Sequence, residues 1–176
     1  QVTVYSAPLL AAAALLVAGC REAEHPPLTV AENVDLERFM GDWYVIANIP
    51  TSIEKGAHNA IETYRLEDDG TIATTFKFHA DSFNGELKTY NPRGFVMDDS
   101  NAIWGMQFIW PIKADYRIIY LEEDYSVTVI GRNKRDYVWV MARSPVISEQ
   151  KYAAIIEQLE SVGYDSTEIL KVPQKW

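Results

Sequence analysis

The sequence predicts an all-β fold: a closed, eight-stranded, antiparallel up-and-down barrel with one helix packed against its outside. Three observations carry that expectation. Short runs of alternating apolar and polar residues succeed one another from Trp43 to Arg143. Tight-turn signals separate several of them, Asp69-Gly70 being the clearest. A single amphipathic helix follows, and only after the last run. Successive hairpins with one late helix argue for an antiparallel sheet. Closing that sheet removes the edges that an open one would have to protect.

The chain opens on a separate object. Residues 9–18 are a run of leucines and small residues. The run falls short of the roughly 20 apolar residues a membrane-spanning helix needs and fits the apolar core of a secretory signal. Ala18 and Gly19 lead into Cys20, and "VAGC" resembles a bacterial lipobox, in which the chain is cut before the cysteine and the cysteine is lipidated. Residues 1–19 are therefore expected to be a lipoprotein signal, Cys20 the lipidation site, 20–32 a spacer-like tether containing Pro26-Pro27, and 33–176 one domain. No Met and no Lys or Arg precedes the apolar run, so the signal is expected to lack its start. Arg21, rather than Asp, follows the cysteine. By resemblance to bacterial lipoproteins this implies the outer membrane, with the domain facing the periplasm.

Strands are expected at 43–49, 59–66, 71–80, 87–97, 102–109, 115–121, 126–132 and 137–143. In 71–80, Ile72, Thr74, Phe76 and Phe78 share a face; in 102–109, Ala102, Trp104, Met106 and Phe108 do. Pro92 interrupts 87–97 and predicts an edge, bulge or kink there. Ser148 is the expected N-cap of the helix, whose stripe is Tyr152, Ile155, Ile156, Leu159 and Val162, and Gly163 can end it. "EILKV" (168–172) reads as a last short strand.

Net charge and cysteine count exclude several functions. A formal charge of −9 argues against nucleic acid, which needs a basic face, and against simple electrostatic docking on anionic lipid. One cysteine allows neither an internal disulfide nor a cysteine-pair zinc site. His25, His58 and His79 fall in the tether, the first loop and a strand end, without metal-ligand or catalytic spacing. No Gly-x-Ser-x-Gly elbow is present, and the acidic pairs 68–69, 98–99 and 122–123 fall in turns. No catalytic residue, metal or cofactor is predicted.

Four features together resemble the lipocalin family. "GDWY" (41–44) matches its Gly-x-Trp signature at Gly41 and Trp43. "DYRIIY" (115–120) stands where lipocalins carry an Asp-Tyr motif, although the position of the motif's second tyrosine is Ile119 here. "ARSP" (142–145) puts Arg143 at the end of the eighth strand, and the helix follows at the family's distance. With the lipobox, the pattern is similar to that of bacterial outer-membrane lipocalins over 33–176. The resemblance implies that Gly41, Trp43 and Arg143 build the barrel floor, with the arginine packed across the tryptophan in a cation–π contact. Many lipocalins tie the C-terminal segment down with a disulfide. This domain has none, so the tail from Asp165 onward is expected to be held by packing alone.

An eight-stranded barrel either fills with side chains or holds one small ligand, and the sequence leaves both open; the resemblance favours a cavity. Taking Trp43 as inward puts Val45 and Ala47 on the same side. Phe76, Phe78, Trp104, Met106, Tyr116, Ile118, Tyr120, Trp139 and Met141 follow from the apolar faces and the family pattern, and Tyr64 joins them. This lining suits an acyl chain. The expected ligands are small amphipathic lipids, fatty acids or lysophospholipids, stored or moved during envelope maintenance or stress. Loop 51–59 is the expected lid, and Lys77, Lys88 and Arg117 are positional candidates for a headgroup. The alternatives are a lipid-modifying enzyme on the same barrel and a non-binding interaction module. The oligomeric state, a homodimer included, stays open.

Overall fold

The computed structural model describes residues 25–176. The expected signal, Cys20 and the first tether residues lie outside the described residues. One antiparallel sheet runs through β1 (Gly41–Ile49), β2 (Ala57–Leu66), β3 (Ile72–Ala80), β4 (Leu87–Tyr90), β5 (Arg93–Val96), β6 (Ile103–Ile109), β7 (Ile112–Leu121), β8 (Val127–Gly131) and β9 (Val138–Ala142). β9 pairs back onto β1 and closes the barrel. The barrel has eight staves, because β4 and β5 are one stave broken at Asn91-Pro92, both pairing with β3. Proline has no N–H to give a ladder, and the expected interruption falls there.

Four strand pairs carry a register shift, and two of these shifts move expected lining residues off the interior face. Across β1 and β9, Val45 pairs with Met141 but Ala47 with Val140, so Ile46 is an extra residue. Across β7 and β8, Ile118 pairs with Ile130 but Tyr120 with Val129, so Ile119 is extra. An extra residue reverses the in–out alternation beyond it. Ala47 and Tyr120, expected inside, consequently face outward and pack with the cluster beneath the C-terminal helix.

That helix, α2 (Glu149–Ser161), begins at Ser148, whose hydroxyl accepts from Lys151 N at 3.1 Å. Ile155 and Leu159 are buried against Ile46, Ala47, Val129, Val140 and Ala142 on the outer barrel wall. Gly163 ends it with φ +99°, in the left-handed region that favours glycine. The Tyr164 hydroxyl then accepts from Arg132 N at 2.9 Å and pins the following turn to the β8–β9 connection.

The sequence did not announce a one-turn helix, α1 (Leu36–Phe39), capped by Asp35, which accepts from Arg38 N at 3.1 Å. It drops Phe39, fully buried, into the barrel's closed end. The approach to α1 also differs from a free spacer. Leu28 is buried, its N–H donates to Asn133 Oδ1 at 3.0 Å, and Ala31 N donates to Ile118 O at 2.9 Å. From Pro26 onward the segment lies along the barrel, because Leu28 and Val34 have apolar surface to bury there.

The tail corrects the expectation of packing alone. β10 (Leu170–Lys171) pairs with Ala47 and Asn48 of β1. Val172 N donates to Ile46 O at 2.9 Å, and Asn59 N of β2 donates to Pro173 O at 2.8 Å. Gln174 Nε2 reaches both Val45 O, at 2.8 Å, and Ala60 O, at 3.1 Å. β1 and β2 pair directly only from Gly41 to Tyr44. The tail satisfies backbone groups where these two strands diverge, as buried polar groups require.

Candidate ligand-binding site

The closed end is built around Arg143. Its guanidinium carbon lies 3.8 Å from the centroid of the Trp43 ring. Its nitrogens donate to Asp42 O (2.8 Å), Arg38 O (2.9 Å), Phe39 O (3.1 Å) and Met40 O (2.8 Å). A cation at the end of α1 satisfies carbonyls that have no helical partner. Trp43 Nε1 donates to Phe39 O at 2.9 Å. Gly41 has φ +93°, and a Cβ there would stand 3.3 Å from Arg143 Nη1. Glycine thus answers both the backbone conformation and the close approach.

Above this floor the lower barrel is solid. Phe39 packs on Trp43, Tyr64 and Trp104 with ring centroids 5.1, 5.6 and 5.5 Å apart. Trp104 stacks on Tyr116 at 5.2 Å, and the Tyr64 and Tyr116 hydroxyls hydrogen-bond to each other. The upper barrel is hollow. A pocket of about 260 Å³ runs from the lid residues Thr51–Glu54 down to Glu62 and Tyr116, walled by Phe76, Met106, Phe108 and Trp139. The barrel is half filled and half hollow, an outcome between the two that the sequence left open.

The lid is tied to the wall. Glu54 accepts from Trp139 Nε1 at 2.8 Å and from Thr51 N at 2.9 Å, and both Thr51 and Glu54 line the pocket. Glu62 lies deeper, opposite Trp43 on β1 and Phe76 on β3. Burial, and then the charge of Glu54, push its carboxyl up from the ordinary 4.5 to about 8, with the Tyr64 hydroxyl opposing. Burial and the nearby Glu62 raise both Tyr64 and Tyr116 well above the usual phenol range. The pocket floor is therefore a neutral carboxylic acid at pH 7 beside two neutral phenols.

The expected lining residues divide three ways. Phe76, Met106, Tyr116 and Trp139 border the pocket. Val45, Tyr64, Phe78, Trp104, Ile118 and Met141 are buried in the inner cluster, which fills space around and beneath it. Ala47 and Tyr120 lie outside, as the bulges dictate. None of Lys77, Lys88 and Arg117 borders the pocket; Lys88 pairs with Glu86 and Arg117 with Asp115, each through an adjacent carboxylate. The cation at the rim is Arg132, 3.2 Å from Asp136. Glu62 escaped the sequence reading, although strand parity carried the signal: it stands two residues before the inward Tyr64. His58 and His79 donate from Nδ1 to the carbonyls of Gly56 and Gly85, both at 2.9 Å, in local loop contacts. Among the described residues no cluster of three His, Cys, Asp or Glu is placed to hold a metal.

The sequence and the barrel both have known counterparts. The family model for the lipocalin-like domain matches residues 34–174. The chain is 31% identical over 170 residues to the outer membrane lipoprotein Blc of Citrobacter freundii, covering 95% of this chain and 96% of the relative. It is 27% identical over 158 residues to temperature-induced lipocalin-1 of Arabidopsis thaliana, covering 86% and 85%. Among solved structures, insecticyanin from the tobacco hornworm Manduca sexta superposes with a TM-score of 0.65 at 14% identity, covering 84% of this chain and 85% of that one, a likeness of fold alone.

Proposed function

The chain belongs to the lipocalin-like family, and from that premise we propose that its barrel binds small amphipathic lipids reversibly, with no covalent step. The ligands are fatty acids or lysophospholipids, held or moved in maintaining the cell envelope. The observation that carries the proposal is the apolar, lidded pocket at one end of a closed barrel. The relatives named as outer membrane lipoproteins, together with the lipobox-like "VAGC", support an anchor at Cys20 and an outer-membrane, periplasm-facing location. No described helix is long and apolar enough to cross a membrane.

The pocket sets a scale. At roughly 30 Å³ per water-sized group it holds about nine of them, and a longer chain projects past the lid. Burying about nine methylenes offers ~7 kcal/mol, and association costs several of these. The apolar walls alone therefore give about millimolar binding, and contacts at the polar end supply the rest. Native mass spectrometry of the full chain carrying Cys20→Ser, before and after delipidation, tests the proposal. Uptake of an acyl ligand at micromolar concentration is expected; no uptake of any amphiphile overturns it.

A further inference from the structure

Resting on that reading, we propose that among such amphiphiles the pocket prefers one carrying an organic ammonium group, bound by the Glu62 carboxylate among the aromatic walls Phe76, Tyr116 and Trp139. Glu62 is 8% exposed, and it borders the cavity. The other acids of the pocket are already engaged. Glu54 accepts from Thr51 and Trp139, and Asp115 accepts from Arg117 Nε at 2.8 Å and Asn133 N at 2.8 Å. Glu62 meets the Tyr64 hydroxyl, but no cation or backbone N–H among the described residues hydrogen-bonds to it, which leaves it the least engaged acid facing a ligand. A carboxylate surrounded by aromatic faces is the chemistry that recognises an alkylated ammonium. A fatty carboxylate in the same position would meet Glu62, with Glu54 behind it.

The groups that face Glu62 are Glu54 from the lid, Tyr64 from its own strand and Tyr116 from β7, with Asp115 and Arg132 at the rim. In the empty pocket the carboxyl is protonated up to about pH 8. A permanent cation binds the ionised form, so its uptake below that pH expels a proton. Calorimetric titration of the full chain carrying Cys20→Ser with hexyltrimethylammonium, lysophosphatidylcholine and octanoate reads this out. Ammonium affinity is expected to rise by up to about tenfold per pH unit from 6 toward 8 and then level off, while octanoate affinity falls. Glu62→Gln removes the slope and weakens the ammonium about tenfold or more at pH 8, and its cooperative urea unfolding transition shows that it folds. A slope shared by lysophosphatidylcholine assigns the ammonium to a lipid headgroup; a slope confined to hexyltrimethylammonium assigns it to a free alkylamine. Octanoate bound more tightly than the ammonium at pH 8, or a flat ammonium profile, overturns the proposal and leaves the lipid container standing. No binding of any probe overturns both.

A different observation points to a lipid surface as the partner of the mouth. The β6–β7 hairpin ends in Phe108, Ile109, Trp110, Pro111 and Ile112, and Ile109 and Trp110 are 72% and 82% exposed. Phe108 of the hairpin and Ile53 of the lid also line the pocket, so the apolar patch borders its opening. The path of the chain selects the occupant. Arg135, in the β8–β9 turn at the mouth end, donates to Pro26 O at 2.8 Å. The segment then descends toward the floor, where Val34 N meets Ser100 O at 2.9 Å. Only residues 21–24 separate His25 from Cys20, a reach of at most about 18 Å. An acyl anchor on Cys20 holds the mouth end, and with it Trp110, against the bilayer. Indole and aliphatic side chains suit that interface. The test anchors the lipidated protein in phosphatidylcholine vesicles brominated near the glycerol end of the acyl chains. Bromine is expected to quench at least half of the Trp110 emission, measured as the difference between wild type and Trp110→Phe. An unquenched difference signal, with or without a dimer in sedimentation, overturns the assignment.

Discussion

Replacing Glu62 by glutamine isolates the cost of keeping a carboxyl inside the barrel. Burial first, and the charge of Glu54 second, raise this group from 4.5 to about 8 in the folded protein; the unfolded chain restores the ordinary value. Between those limits the folded state holds a proton that the unfolded state lacks, so stability falls as pH rises. The contribution is whole below about pH 4.5 and gone above about pH 8, and at 1.36 kcal/mol per unit it amounts to on the order of 5 kcal/mol. The Glu62→Gln substitution keeps the size and polarity of the neutral acid and removes its ability to ionise. Urea unfolding of both proteins at pH 5, 6.5 and 8 is the assay. The advantage of Glu62→Gln is expected to grow by roughly 3–4 kcal/mol from pH 5 to pH 8. The lowered carboxyls of Asp69, Asp124 and Asp165, each held by a neighbouring hydroxyl and then by a backbone N–H, act at lower pH and are common to both proteins. A gap that stays constant with pH would refute the reasoning, because Glu62 would then titrate as a solvated acid.

Three further outcomes follow from the closed end and the seam. Arg143→Ala removes a cation that serves four backbone carbonyls and stacks on Trp43, and is expected to cost about 3 kcal/mol in urea unfolding. Arg143→Lys recovers a minor part, because an ammonium cannot present the planar fork. Trp43→Ala empties a fully buried site and is expected to cost about 3–5 kcal/mol, while the folded fraction keeps its ligand affinity in calorimetry, since Trp43 does not border the pocket. Gln174→Ala loses both bridges across the β1–β2 divergence, for about 1–2 kcal/mol, and is expected to speed hydrogen exchange at Asn59 N.

The barrel was legible because hairpin turns and strand alternation are local, and each strand carries its own evidence. What local pattern cannot contain is an inserted residue. Ile46 and Ile119 are ordinary strand residues in sequence, and only the partner strand makes them bulges. Parity counted from Trp43 is right at Val45 and wrong at Ala47 for that reason, and parity counted from Tyr116 fails at Tyr120 likewise. The half-filled interior was hidden by a different cause. Phe39 arrives from outside the strand ladder, on a helix too short to show a period, and its ring completes the packing of Trp43, Tyr64 and Trp104. Cavity volume is the difference between what the strands enclose and what such outsiders fill.

Glu62 is the opposite case, a residue whose position was readable and whose meaning was not. Parity with Tyr64 aimed it inward, against the expectation that a charged residue on a half-buried strand faces water. When period and polarity disagree at one position, the polar residue inside carries a desolvation cost that the fold has to sustain. Among the described residues no cation hydrogen-bonds to Glu62 to relieve that cost, and the lid places a second acid, Glu54, near enough to raise it further. A purely apolar ligand would deepen the burial of Glu62 and gain nothing from it, whereas a cationic one would let it ionise at neutral pH. A residue that weakens the unliganded barrel as pH rises is therefore one that gains from the right occupant. That coupling ties the stability experiment to the binding experiment: a ligand that closes the pH-dependent gap between wild type and Glu62→Gln must do so by lowering the affinity of Glu62 for its proton.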